Sequence, residues 1–64
     1  MDAIEKLVQE RRMRHITQSK VASHLNITPS TLWRYETKQR LISYDLFVLY
    51  ADYLGYEIKI TLKE

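Results

Sequence analysis

Apolar side chains recur along most of this chain at helical spacing, and near the end the spacing changes. Ile4, Leu7 and Val8 stand at i, i+3 and i+4, which predicts a helix over about residues 3–13. Its acids come early and its arginines late, the arrangement that the helix dipole favours. Val21, Ala22 and Leu25 share one face of a second helix, with Thr17 placed before it as an N-cap. Asn26 tolerates the left-handed conformation that ends a helix. Thr28-Pro29 starts a third at once, a capping residue followed by proline at the first helical position. This helix runs to about Thr37. Ser43 caps a fourth that reaches Leu54, where Gly55 stops it.

Residues 56–63 alternate apolar and polar with period 2 and are rich in β-branched side chains, which predicts a strand. No other segment reads as a strand, so this one lacks a partner within the chain. The simplest partner is the same segment of a second copy across a two-fold axis. The alternative, a frayed tail, would expose Tyr56, Ile58, Ile60 and Leu62 as a continuous apolar stripe. Helix four points the same way. Phe47, Tyr50, Ala51 and Leu54 form a core stripe, while Leu46, Leu49 and Tyr53 form a second one suited to an interface. Of the tyrosines, Tyr35, Tyr44 and Tyr50 fall on core-facing positions.

Size makes a second copy reasonable. Sixty-four residues form one small domain, and chains this short are marginal without a disulfide, a metal or a partner. Cysteine is absent, and His15 and His24 have no metal-ligand spacing, so neither a cofactor nor a metal is expected. No run is apolar for long enough to span a membrane. Met1-Asp2 opens without a basic, apolar leader; with the lack of cysteine, this fits a cytoplasmic location.

The net charge of +2 becomes informative once it is divided along the chain. Residues 11–40 hold seven cations against Glu36 alone, a local charge of +6, and the segments on either side are each −2. A basic centre between acidic flanks suggests a face for a polyanion. No phosphate-cradling glycine loop, nucleophile with its base, or acid–base pair is present, which argues against an enzyme and against a small-molecule substrate.

Residues 18–37 read QSKVASHLNITPSTLWRYET. This segment resembles the helix-turn-helix of the Cro/C1 phage-repressor (XRE) family. Ala22 is small where two helices cross, Asn26 sits in the tight turn where the family usually has glycine, and Leu32 plugs the interhelical core. Ile16-Thr17-Gln18 is similar to the family's helix start, and Ser43 to Gly55 follows its fourth helix. Lys38 stands where the loop after the recognition helix often has glycine, and Arg14-His15 also lacks one. The resemblance covers about residues 4–55. It implies a mainly α, lambda-repressor-like domain, normally of four to five helices. Here that becomes four helices over residues 1–55, with motif 18–37 and recognition helix 29–37. Residues 56–64 replace the fifth helix with a β-strand that pairs across a dimer, as some antitoxin members do.

On a wheel of the third helix, Leu32, Tyr35 and Glu36 face inward while Ser30, Thr31, Arg34 and Lys38 face outward. Glu36 on the inner side needs a cation, and the resemblance implies an ion pair with Arg11. Arg34 is expected to contact guanine, whose O6 and N7 suit a guanidinium. Ser30, Thr31 and Gln18 are the other candidates for base contacts, and Thr17, Lys20, Lys38 and Arg40 for phosphate contacts. Trp33, on the flank, is expected to pack against the 38–42 loop. The dimer interface would comprise Leu46, Leu49, Tyr53, Tyr56, Ile58, Ile60 and Leu62. The resulting expectation is a homodimeric repressor of double-stranded DNA acting on an inverted-repeat operator. Two alternatives stay open: an antitoxin or autoregulator that also holds a toxin or other protein partner, and a pure protein-interaction module.

Overall fold

Each described helix of this protein starts on a side-chain oxygen. The computed structural model describes residues 2–58, and they form α1 (Ala3–Met13), α2 (Gln18–Leu25), α3 (Pro29–Glu36) and α4 (Tyr44–Tyr53). Asp2, Thr17, Thr28 and Ser43 hold extended backbone ahead of them. Their side chains accept from the N–H of Glu5, Lys20, Thr31 and Leu46, each at 3.0–3.2 Å. Each cap thereby satisfies one donor that the helix itself leaves unpaired.

The helix ends are equally uniform. After each helix one residue takes a left-handed conformation: His15, Asn26, Lys38 and Gly55, with φ of 55°, 59°, 64° and 84°. The next N–H reaches back to a carbonyl five residues earlier: Ile16 to Arg11, Ile27 to Ala22, Gln39 to Arg34 and Tyr56 to Ala51. The left-handed residue itself bonds three back, to Arg12, Ser23, Tyr35 and Asp52. This double bonding is the Schellman closure, for which glycine is the usual residue. Here the loops keep that geometry at His15 and Lys38 without glycine.

The core comprises Leu7, Val8, Val21, Ala22, Leu25, Leu32, Tyr50, Ala51 and Leu54. All four helices contribute to it, and α2 lies between α3 and α4 and packs against both. Ala22 is fully buried on α2, the element in contact with α3, and Leu32 is fully buried opposite.

Two sequence expectations, the places of Tyr44 and Trp33, need correction. Tyr44 is 57% exposed and not in the core, whereas Tyr50, also expected there, is fully buried. Trp33 is 46% exposed and Leu41 is 95% exposed, so the 38–42 loop does not bury the indole. It is Ile42 that turns onto the core. Leu46 and Tyr53, expected at an interface, are partly buried against the protomer's own core, and the Tyr53 ring lies 5.0 Å from that of His24. Of that stripe only Leu49 is open. Residues 56–58, the described part of the predicted strand, are irregular: the Tyr56 N–H closes α4, and Ile58 packs on the core. Ile60, Leu62 and the rest of that prediction lie outside the described residues.

Candidate nucleic-acid interface

The third helix is held from behind by one carboxylate. Glu36 is its last residue and buried, an arrangement that is tolerable only if the charge is fully partnered. Arg11 in α1 approaches with two nitrogens, Nε to Oε2 and Nη2 to Oε1, both at 2.9 Å. The Tyr50 hydroxyl in α4 donates to Oε2 at 2.6 Å, and Gln18 Nε2 in α2 donates to Oε1 at 2.9 Å. The remaining Arg11 nitrogen, Nη1, donates to the Ile16 carbonyl at 2.9 Å. One acid thus ties together all four helices. Among the described residues no buried side-chain nitrogen or oxygen lacks a partner.

Burial pushes the Glu36 carboxyl up, but the hydrogen bonds from Arg11, Tyr50 and Gln18 outweigh it and hold the group below the usual carboxylate range. Burial also pushes the Tyr50 phenol strongly up, and the neighbouring Glu36 adds to the effect. The Arg11 guanidinium loses from burial and gains more from Glu36, so it stays charged. The hub is therefore an ionised pair with a neutral phenol.

With its inner side fixed, α3 turns Pro29, Ser30, Trp33 and Arg34 to solvent. Thr31 is half-buried, and its hydroxyl shares a 2.8 Å hydrogen bond with that of Thr28 at the helix start. The Thr17 hydroxyl is likewise engaged, in capping α2. Gln18, expected to face a base, donates through its amide nitrogen to Glu36. That engagement was not legible in sequence: the spacing of 18 residues between Gln18 and Glu36 carries no local pattern.

The basic centre is smaller than its residue count. Arg11 is consumed in the core. Arg14 pairs with Glu10 at 2.7 Å and donates Nη1 to the Leu54 carbonyl at 2.6 Å, where it supplies the cation that the end of α4 lacks. Lys38 contacts both Asp2, at 2.5 Å, and Glu5. Lys38 is thereby raised by Asp2 first and Glu5 second, and Asp2 is lowered by Lys38 and by the Glu5 N–H. Among the described residues, the cations of the central segment without an ionic partner are Arg12, Lys20, Arg34 and Arg40. Arg40 is placed by α3 itself, since its N–H and that of Gln39 both donate to the Arg34 carbonyl.

An open groove of about 530 Å³ runs between α2 and the start of α3, lined by Ser19, Ser23, Asn26, Ile27, Thr28 and Pro29. It holds hydroxyls and an amide but no titratable group. Among the described residues no three His, Asp or Glu side chains gather as a metal would require, and no helix is long and apolar enough to cross a membrane.

The arrangement is a short helix, exposed on one side and locked on the other, that carries Arg34 and is followed in the next turn by Arg40. Comparison with known families gives a match to a helix-turn-helix family, over residues 7–60. No curated protein and no solved structure gives a significant match.

Proposed function

The chain belongs to the Cro/C1-type helix-turn-helix family of DNA-binding transcription regulators, and we propose that it is a sequence-specific repressor that binds an inverted-repeat operator as a homodimer. The observation that carries this reading is α3: Ser30 and Arg34 project from a helix whose orientation the Glu36 hub fixes. In the major groove Arg34 would bind O6 and N7 of a guanine bidentately, while Ser30 and Thr31 reach base edges at close approach. Gln18 would act through its carbonyl oxygen, on a base amino group. Thr17, Lys20 and Arg40 would contact phosphate and set the register. Two copies related by a two-fold axis would read half-sites about 34 Å apart. The contact between copies would use Leu49 and Tyr56, the exposed members of the α4 stripe and the segment after it, with Leu46 and Tyr53 beside them.

A duplex selected from a random pool tests the assignment. Arg34→Ala is expected to relax preference at one base pair per half-site, a loss of about 1–3 kcal/mol against the preferred base. Arg40→Ala is expected to weaken all sequences alike and to flatten the salt dependence by about one phosphate. Unchanged preference in Arg34→Ala would remove that residue from the readout.

A second reading, an autoregulator that also holds a protein partner, is favoured by one observation. Met13, Trp33, Leu41, Tyr44, Leu49 and Tyr56 are all large, apolar and exposed. Co-purification of a stoichiometric partner from the native host would distinguish it from the simple repressor.

A further inference from the structure

Asp2 and Glu5, at the start of α1, meet the loop after the recognition helix on a single ammonium group. Lys38 is the left-handed residue that closes α3, and its N–H bonds the Tyr35 carbonyl. The next two N–H groups bond the Arg34 carbonyl. Arg34, Lys38 and Arg40 therefore belong to one hydrogen-bonded turn at the C-terminal end of α3. Among the described residues, only Lys38 of these three cations touches acids, and it touches two. The pair of carboxylates converts that position from +1 to −1, so a surface of +3 presents only +1.

The three side chains are each about half exposed, at 46%, 50% and 44% for Lys38, Asp2 and Glu5. Exposed ion pairs of this kind are weak and screened by salt, so a polyanion can compete for the lysine. The two acids are not there merely to hold the helix. Asp2 caps α1 through Oδ1, and the other oxygen, Oδ2, is the one that Lys38 takes. An asparagine would keep the cap and lose the charge.

We propose that Asp2 and Glu5 withhold Lys38 from DNA phosphate and so set the affinity of the chain for duplex. This rests on the DNA-binding reading above and adds to it an acidic guard within the same protein. In the resting chain the lysine is held by carboxylates. On DNA it stays there, and the phosphate within its reach goes without that contact. The withheld contact weakens binding relative to a chain without the acids.

The test uses the full chain with Asp2→Asn and Glu5→Gln together, titrated with a random-sequence duplex at several salt concentrations. Release of one lysine for one phosphate is expected to steepen the plot of log affinity against log salt by about 0.9. From ~50 to ~200 mM salt the variant should then lose about threefold more affinity than wild type, from a tighter value at low salt. Adding Lys38→Gln should abolish the gain. The charge-matched variant Asp52→Asn with Glu57→Gln, at exposed positions outside the ion pairs of the described residues, should leave the slope at the wild-type value. An unchanged slope in the Asp2/Glu5 variant overturns the guard, as does a gain that survives Lys38→Gln or is equalled by the control. Absence of salt-dependent binding in wild type and variant alike would overturn the DNA-binding reading itself, and the guard with it.

Discussion

Glu36 shows how a single buried acid can fix a recognition surface that it never joins. Its two oxygens accept from Arg11 twice, from Tyr50 and from Gln18, so removing the carboxylate leaves a guanidinium buried without its counter-charge. Loss of one partner from such a pair costs about 3–5 kcal/mol. Domains of this size hold roughly 3–10 kcal/mol in total. Glu36→Ala is therefore expected to remove about a third or more of the stability and to lower the melting temperature strongly, as followed by circular dichroism. Tyr50→Phe, which removes one hydrogen bond to a charged acceptor, should lower stability by about 1.5–3 kcal/mol and leave the chain folded. The pH dependence has a definite sign. Glu36 is held below the unfolded carboxyl value of about 4.3. Its contribution is thus complete above that value and is lost as pH falls through the depressed folded value. Acid denaturation of wild type should steepen in that window, and the steepening from this group should be missing in Glu36→Gln. An identical acid profile for the two would contradict the ionised hub.

The four helices are punctuated alike, and the sequence discloses the two ends of each unequally. Thr17, Thr28 and Ser43 are readable because a short oxygen-bearing side chain precedes each apolar repeat, and the structure places all three as caps. Asn26 and Gly55 are readable at the other ends, since those side chains tolerate positive φ. His15 and Lys38 are not: nothing in a histidine or a lysine announces a left-handed residue. There the conformation is imposed by the closures Ile16 to Arg11 and Gln39 to Arg34. A left-handed residue with a Cβ carries strain of about 1–2 kcal/mol, while glycine adds about 0.5–1 kcal/mol of unfolded-chain entropy. His15→Gly should consequently stabilise the domain, by up to about 1 kcal/mol. A lower melting temperature in thermal denaturation would show that the imidazole does more than occupy a turn. The outward face of α3 was legible from its wheel, because Ser30 and Arg34 differ in position from Leu32 and Glu36 by half a turn. The partners of Gln18 and Lys38 were not. Lys38 and Glu5 stand 33 residues apart, and only the packing of α1 against α3 brings them together.

At the scale of the whole molecule, a short chain buries little, and its basic centre is partly spent on itself. Nine side chains make up the described apolar core, and the α4 stripe proposed for contact with a second copy contributes Leu46 and Tyr53 to its edge. The proposed contact between copies is therefore narrower than a helical wheel suggests. It rests on Leu49, at 39% exposure, and Tyr56, at 46%, together with whatever the chain adds beyond Ile58. A narrow contact has a thermodynamic signature. If two copies stabilise each other, folding is coupled to association, and the melting temperature depends on protein concentration. For such a coupled transition, about a hundredfold dilution removes roughly 2.7 kcal/mol of apparent stability. Shared between two chains this is about 1.4 kcal/mol each, and at about 4–8 °C per kcal/mol for so small a domain the midpoint should fall by roughly 5–10 °C. Leu49→Glu should abolish that dependence while leaving the fold intact, since Leu49 lies outside the buried core. Sedimentation of the same samples should show loss of the dimer. A melting temperature unchanged over that dilution would make the domain self-sufficient, and the two-fold operator would then have to be read by copies that meet only on DNA.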